Sequence, residues 1–155
     1  MQPHPTSLDE WITFFESLPE GERRENLIEL AAQSASCAPQ EGEAFEVEDV
    51  RHDAECTDTV GIHARVGADG AVHFAVSLGP KVQTLTRALT VVLCRGLAGL
   101  TVSEVLTISP DIVPRIVGAE LVRLRSRTVY YVLNRMKEAA QVLSTRSRNQ
   151  ESRTV

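Results

Sequence analysis

The stretch "VGIHARVGADGAVHFAV", residues 60–76, decides the fold class of this chain. Apolar residues occupy every second position on both sides of a glycine-containing turn at 67–70: Val60, Ile62, Ala64, Val66, then Val72, Phe74, Val76. This period of two predicts two antiparallel strands with one buried face, joined by a tight turn. The preceding "AFEVEDV", in which Phe45 and Val47 alternate with acids, predicts a third strand with both of these residues on one face.

Helical patterns flank the predicted strands on both sides. Ser7 and Glu10 form a capping box that predicts a helix over about 8–18, and a second helix follows Pro19. A loop is predicted over 36–43. After the strands, a broad apolar stripe predicts a long helix from Lys81. Further helices are predicted from Thr101, from Ser109 to Gly118, and over the apolar stripe 129–143.

This order of elements predicts an α+β fold made of one domain. We expect a three-stranded antiparallel sheet with the helices packed on one of its faces. The domain is predicted over 8–145, with a mobile N-terminus at 1–7 and a mobile polar C-terminal tail at 146–155.

The bulk composition restricts the class of partner. The chain has 155 residues, 43% of them hydrophobic, and a formal net charge of −5. This acidity disfavours nucleic acid and anionic membranes as partners. The apolar runs are too short to cross a bilayer, and the first residues lack the regions of a secretory signal, so we expect a cytoplasmic protein.

Three cysteines are the candidates for chemistry. Cys94 lies within the predicted central helix, where a thiol fits ordinary packing. Cys37 lies in a polar loop with no obvious neighbour to lower its pKa, which predicts an incidental role. Cys56 lies between two predicted strands, where functional groups concentrate. It is either a working thiol or one that packs under a loop.

The histidines and acids near Cys56 give weak support to two other kinds of site. A hydrolase nucleophile needs a histidine base, and His52, Asp53, Asp58 and His63 are close in sequence. His63, however, is predicted on the solvent side of its strand beside Arg65.

A metal site is also weakly indicated. Its ligands would be His52, Cys56, His63 and His73, but their spacing matches no common pattern. We predict neither a metal nor a bound cofactor, and we expect the histidines on the outer face to be solvated.

Taken together, the motifs resemble those of the SufE family of sulfur-acceptor proteins. The resemblance spans residues 8–143. Its parts, in order, are "RHDAEC" at 51–56, "TVGIHARV" at 59–66, the G-x-D-G turn, "AVHFAV" at 71–76, "RGLAGLTVSEVL" at 95–106 and "LVRLRSRTVYYVLNRMKEAA" at 121–140.

The resemblance implies a function. In the SufE family, the cysteine before the second strand accepts sulfur from a pyridoxal-phosphate cysteine desulfurase, and the persulfide is passed to an iron–sulfur cluster assembly scaffold. The protein would then be no enzyme itself but an activator of the desulfurase. By this likeness Cys56 is the acceptor, and Arg125 falls where the family keeps an arginine before its last helix. Asp58, beside the thiol, is a further candidate for supporting it or for contacting a partner.

The chain departs from the family pattern around both sites. Glu55 stands where the family has glycine, Thr57 and Asp58 where it has Ser or Gln, and Gly61 where it has an aromatic residue. Arg127 and Thr128 replace Asn-Gly. Negative charge from Glu55 and Asp58 disfavours a thiolate at Cys56, whereas Arg125 would favour it.

Two other functions and one structural question stay open at the level of sequence. The protein could bind a metal or cluster as a scaffold, or it could be an interaction protein with this fold and no sulfur transfer. Arg125 could equally serve to bind the carbonyl end of a neighbouring helix. We expect Leu8, Trp11 or residues of the hairpin to cover the thiol at rest.

Overall fold

The computed structural model describes residues 7–53 and 58–153. Its helices and strands, in chain order, are α1 Leu8–Glu16, α2 Glu20–Ala31, a 3₁₀ helix Ser34–Cys37, β1 Val47–Asp53, β2 Asp58–Val66, β3 Val72–Leu78, α3 Thr84–Gly96, α4 Val102–Leu106, α5 Ile112–Val117, α6 Ala119–Leu124 and α7 Ser126–Arg153.

The three strands form one antiparallel sheet in the order β1-β2-β3. Val60 pairs with Arg51 on one side and with Leu78 on the other. Val60, Ile62 and Ala64 are fully buried on the face that we call the inner face. Gly70, in the turn before β3, has a φ of 83°, a conformation that glycine adopts without strain. The two strands predicted within 60–76 and their buried face are confirmed.

Two helices cover the inner face of the sheet. The central helix α3 packs against β3, and α7 packs against β1 and β2. The fully buried Leu89, Val92, Val132 and Met136 fill the space between these helices and the strands. The fold is therefore α+β with helices on one face, as the sequence predicts.

Several element boundaries differ from the prediction. The central helix begins at Thr84 instead of Lys81, because the residues before it make contacts with β2 that are described below. The helix α7 continues to Arg153, so the backbone of 146–153 is helical where a tail is predicted. No glycine or proline occurs in 146–153, so the polar composition alone does not force the helix to end there. The short helix α6 is not predicted.

Phe45 is wrongly placed by its alternation with Val47. It lies before the first residue of β1, and its ring contacts His63, with centroids 5.4 Å apart, and His73, with centroids 6.1 Å apart. Both histidines belong to the opposite face of the sheet, which we call the outer face. Phe45 thus covers the outer face, while Val47 enters the core.

Candidate functional site

The predicted acceptor, Cys56, lies outside the described residues. The described residues on either side of it are Asp53 and Asp58, which are register partners at the end of the β1–β2 ladder. We call this paired end the hairpin end. Among the described residues, the candidate site therefore consists of the side chains around the hairpin end.

Asp58 links the hairpin end to the segment between β3 and α3. One carboxylate oxygen accepts a hydrogen bond from the Lys81 amide at 2.7 Å, and the other accepts one from the Thr59 amide at 2.7 Å. These two bonds, the Lys81 bond first, lower the pKa of Asp58. The carboxylate therefore stays ionised at neutral pH and fixes the backbone at Lys81.

The close approach of Asp58 requires glycine at position 79. A Cβ added at Gly79 would collide with the Asp58 carboxylate. The Gly79 amide also donates to the Thr59 carbonyl at 2.9 Å, which extends the contact with β2 beyond the end of the ladder.

Arg87 of α3 holds the same segment from the other side. Its guanidinium donates to the Gly79 carbonyl at 2.7 Å and to the Val82 carbonyl at 3.0 Å. A third bond, at 3.3 Å, reaches the Ser34 hydroxyl. The segment 79–82 is thus fixed between Asp58 and α3, which gives the hairpin end a defined position relative to the central helix.

A surface groove of about 680 Å³ begins at the first residues of α3. We call it the α2–α3 groove. It is lined by Arg24, Leu27, Ile28, Gln83, Thr84, Leu85, Ala88, Leu121 and Arg125. The apolar side chains form most of this lining and include Ile28, which is 54% exposed. Two arginines, Arg24 and Arg125, add positive charge.

Arg125 lies at the junction of α6 and α7. Its amide donates to the Leu121 carbonyl at 2.8 Å, and its own carbonyl accepts from the Val129 amide at 3.0 Å. The backbone is therefore used in joining the two helices, and the side chain is exposed and lines the groove. Asp58 thus binds the Lys81 amide, and Arg125 lines a groove together with the nearby residues 83–85.

The expected cover of the Cys56 thiol lies outside the described residues, but the surroundings of Leu8 and Trp11 are described. Leu8 packs against Gly96, where a Cβ would lie 3.1 Å from its Cδ1. Gly96 is the last residue of α3, whereas the segment that Asp58 holds precedes its first residue. At 1.5 Å per residue, these two ends of the helix are about 18 Å apart. Trp11 is buried in the core beside Phe15.

Contrary to the prediction, the histidines on the outer face are not simply exposed to solvent. His63 is only 8% exposed, and its Nε2 lies 3.3 Å from the Ser77 hydroxyl. His73 is closer to solvent and pairs with Glu43 at 3.5 Å. Phe45 covers both rings, which the alternation pattern did not reveal because Phe45 precedes the strand.

Two of the departures from the family pattern have structural counterparts. A Cβ at Gly61 would crowd the Ser77 hydroxyl and would lie 2.8 Å from Val50 Cγ2, so neighbouring strands fill the space that an aromatic residue needs. Thr128 is buried in the first turn of α7.

Within residues 7–53 and 58–153, no three histidine, cysteine or acidic side chains form a metal-binding group. The weakly indicated set of metal ligands includes Cys56 and therefore falls partly outside the described residues.

The expectation that nothing near Cys37 lowers its pKa is wrong. Cys37 is buried at the end of the 3₁₀ helix, and the thiol of Cys94 of α3 lies close enough to lower its pKa. The two residues belong to different elements, and only the packing of these elements brings the thiols together.

Sequence reasoning also missed two buried or partly buried arginines. Arg87 fixes the segment beside the hairpin end, as described above. Arg135 of α7 is 2% exposed and bonds to the Asp49 carboxylate at 3.2 Å, the Asp49 carbonyl at 2.6 Å and the Val60 carbonyl at 3.1 Å. An arginine within an amphipathic pattern is usually exposed, so the sequence carries no signal for this role.

Comparison with known proteins supports one family. The family described as "SufE: Fe-S metabolism associated domain" matches residues 9–140. The solution structure of a hypothetical protein from Thermus thermophilus is similar, with a TM-score of 0.67 and 24% sequence identity. The likeness covers 91% of this chain and 98% of that chain, and it supports the fold alone.

No curated protein matches the chain. In residues 7–53 and 58–153, no helix has both the length and the apolar character needed to span a membrane. The family match covers most of the chain and agrees with the observed fold. The protein therefore belongs to the SufE family of domains associated with Fe–S metabolism.

Proposed function

We propose that this protein is a sulfur carrier in iron–sulfur cluster assembly. Cys56 takes a persulfide sulfur from a pyridoxal-phosphate cysteine desulfurase, stimulates that enzyme by removing its product, and delivers the sulfur to an assembly scaffold. The observation that supports this most directly is that Asp58 of the hairpin end binds the Lys81 amide, directly before residues 83–85, which line the same groove as Arg125.

The transfer step needs no oxidant or reductant. The Cys56 thiolate attacks the terminal sulfur of the donor's persulfide, and a new sulfur–sulfur bond forms as the old one breaks. The donor cysteine leaves as a thiolate, and Cys56 becomes a persulfide. The same exchange in the opposite sense passes the sulfur to the next acceptor thiol.

The surroundings of the hairpin end suit this step. Asp58 accepts from the Lys81 amide with one carboxylate oxygen and from the Thr59 amide with the other, so it positions the hairpin end instead of acting as a free charge. Arg125 presents a cation at the α2–α3 groove, where it would favour a thiolate or an anionic persulfide. The exposed apolar lining, including Ile28, offers a desulfurase a docking surface and the sulfur partial shelter from water.

The experiment tests which cysteine accepts a labelled sulfur atom from the desulfurase. The reduced protein is mixed with a cysteine desulfurase and isotopically labelled cysteine, persulfides are alkylated, and the tryptic peptides are analysed by mass spectrometry. Each cysteine falls in its own peptide: Cys37 in 25–51, Cys56 in 52–65 and Cys94 in 88–95. We expect labelled persulfide on peptide 52–65.

Variants separate the proposal from its alternatives. Cys56→Ser is expected to abolish labelling and desulfurase stimulation, while Cys94→Ser retains both. Label on Cys37 or Cys94 and never on Cys56 would contradict the assignment of the acceptor. Unchanged stimulation by Cys56→Ser would indicate an interaction protein without sulfur transfer, and bound metal or cluster in the purified protein would indicate a scaffold.

A further inference from the structure

Cys37 and Cys94 form a pair of free thiols outside the proposed sulfur-transfer site. Cys37 ends the 3₁₀ helix and is 8% exposed, while Cys94 lies in the last turn of α3 and is partly exposed. The two thiols lie close enough for each to shift the pKa of the other. Each cysteine alone would be ordinary, but the pair places two oxidisable sulfurs beside each other.

The elements that carry the pair are fixed to each other on both sides of it. On one side, Arg87 bonds to the Ser34 hydroxyl at 3.3 Å. On the other side, Arg95 donates to the Gln33 side-chain oxygen at 2.9 Å. The 3₁₀ helix is therefore docked along α3 by two arginines of that helix, and the contact between the thiols is a built feature of the packing.

The surroundings favour a thiolate on Cys37 and a thiol on Cys94. The adjacent Cys94 thiol, the nearby Ser36 hydroxyl and the charge of Arg95 lower the pKa of Cys37 from 9.0 to about 7, although burial opposes this. The adjacent Cys37 and burial raise the pKa of Cys94. The Ser36 hydroxyl donates to the Gln33 carbonyl at 2.7 Å, and its single proton can turn to the sulfur when a thiolate forms.

We propose that Cys37 and Cys94 are a redox-active dithiol that a small hydroperoxide converts to an intramolecular disulfide. Cys37, as the thiolate, attacks one peroxide oxygen, the oxygen–oxygen bond breaks, and water leaves after protonation. The resulting sulfenic acid on Cys37 is attacked by Cys94, and a second water leaves. Two thiols are oxidised by two electrons, and hydrogen peroxide is reduced to two waters.

The burial of the pair decides the class of oxidant. Cys37 is 8% exposed, so a bulky disulfide such as oxidised glutathione has poor access to its sulfur. A hydroperoxide has the size of a few water molecules and can reach the pair where Cys94 meets solvent. The disulfide would join the 3₁₀ helix to α3 covalently and leave the hairpin end free.

The test uses the full chain carrying Cys56→Ser, so that the proposed sulfur acceptor does not contribute and the outcome is independent of the proposed function. The reduced protein is treated with hydrogen peroxide, unfolded, alkylated and digested with trypsin without reduction. We expect peptides 25–51 and 88–95 to appear as one linked species that has lost two hydrogen atoms. Oxidised glutathione at the same concentration should produce little of it.

Single variants identify the attacking sulfur. In Cys94→Ser, Cys37 should stop at the sulfenic acid and be trapped by dimedone on peptide 25–51. In Cys37→Ser, the linked species should be lost, and Cys94, whose pKa burial still raises, should react with peroxide more slowly than Cys37 does in Cys94→Ser. Both peptides remaining fully alkylated after peroxide treatment, or links only between chains, would overturn the proposal. The peptide map of the Cys56→Ser protein shows whether the disulfide forms even where a second substitution disturbs folding.

Discussion

Replacement of Arg135 by alanine is expected to be strongly destabilising. The guanidinium is 2% exposed and joins α7 to β1 and β2 through the Asp49 carboxylate, the Asp49 carbonyl and the Val60 carbonyl. It also donates to the Tyr131 hydroxyl and lies over the Tyr131 ring, 5.4 Å from its centroid. The substitution removes all of these contacts at once.

The expected cost follows from the groups left behind. Loss of a partner from a buried acceptor costs about 1–3 kcal/mol per group, and two carbonyls lose one here. The ion pair adds little, because the Asp49 side chain is 38% exposed and water screens it. The sum is about 2–6 kcal/mol, almost all of it from the two carbonyls. The corresponding fall in Tm is about 10 °C for a domain of this size.

The assay is urea unfolding followed by circular dichroism, together with a thermal melt. Arg51→Ala is a matched control, because Arg51 also pairs with Asp49, at 3.5 Å, but its side chain is 50% exposed. We expect the control to lose less than about 1 kcal/mol. A double-mutant cycle with Asp49→Asn should give a coupling of about 1 kcal/mol, since most of the effect of Arg135 comes from the carbonyls.

One result would refute this reasoning. If Arg135→Ala and Arg51→Ala lowered the free energy of unfolding by the same small amount, the buried guanidinium would not be joining the last helix to the sheet. A coupling with Asp49 as large as the whole effect would instead show that the ion pair, and not the carbonyls, carries the stability.

Two further predictions concern the site. Hydrogen bonds lower the pKa of Asp58, so its ionised form stabilises the folded state at pH values above its ordinary pKa of 3.8. This stabilisation is lost as the pH falls through the lowered pKa. Asp58→Asn should therefore be less stable than wild type at neutral pH, and the difference should shrink near pH 3, to be measured by urea unfolding at about these two pH values; a difference independent of pH would contradict it. Arg125→Ala should slow sulfur transfer and change stability by less than about 0.5 kcal/mol, because the side chain is exposed. The control Arg123→Ala, also exposed, should transfer sulfur normally, and equal rates for both variants would favour a purely local role for Arg125.

Much of the fold could be predicted from the sequence because it is encoded by local patterns. The alternation over 60–76 specifies which side chains of β2 and β3 enter the core, and the capping residues Ser7 and Thr101 begin helices where expected. These features depend on neighbours within a few residues, and a period of two or 3.6 records them directly. The start of α3 at Thr84 was not predicted because a distant group, Asp58, binds the backbone amide of Lys81.

The candidate site was predictable only in part. Cys56, Asp58 and Arg125 were selected by resemblance and position, and the sequence could not say that Asp58 binds the Lys81 amide or that Arg125 borders a groove with residues of α2 and α3. The outer-face position of Phe45 was missed for a similar reason. A residue outside a strand has no periodicity to place it.

The sequence by itself determined the order of the elements, the buried face of the sheet and the family, because each depends on the spacing of residues that are close in sequence. Only the tertiary structure decided that Cys37 meets Cys94 and that Arg135 meets Asp49. A hydrophobic period states which face of an element is buried, but not which element covers it. Contacts between distant residues depend on how the faces pack, and this is fixed by the fit of the whole core.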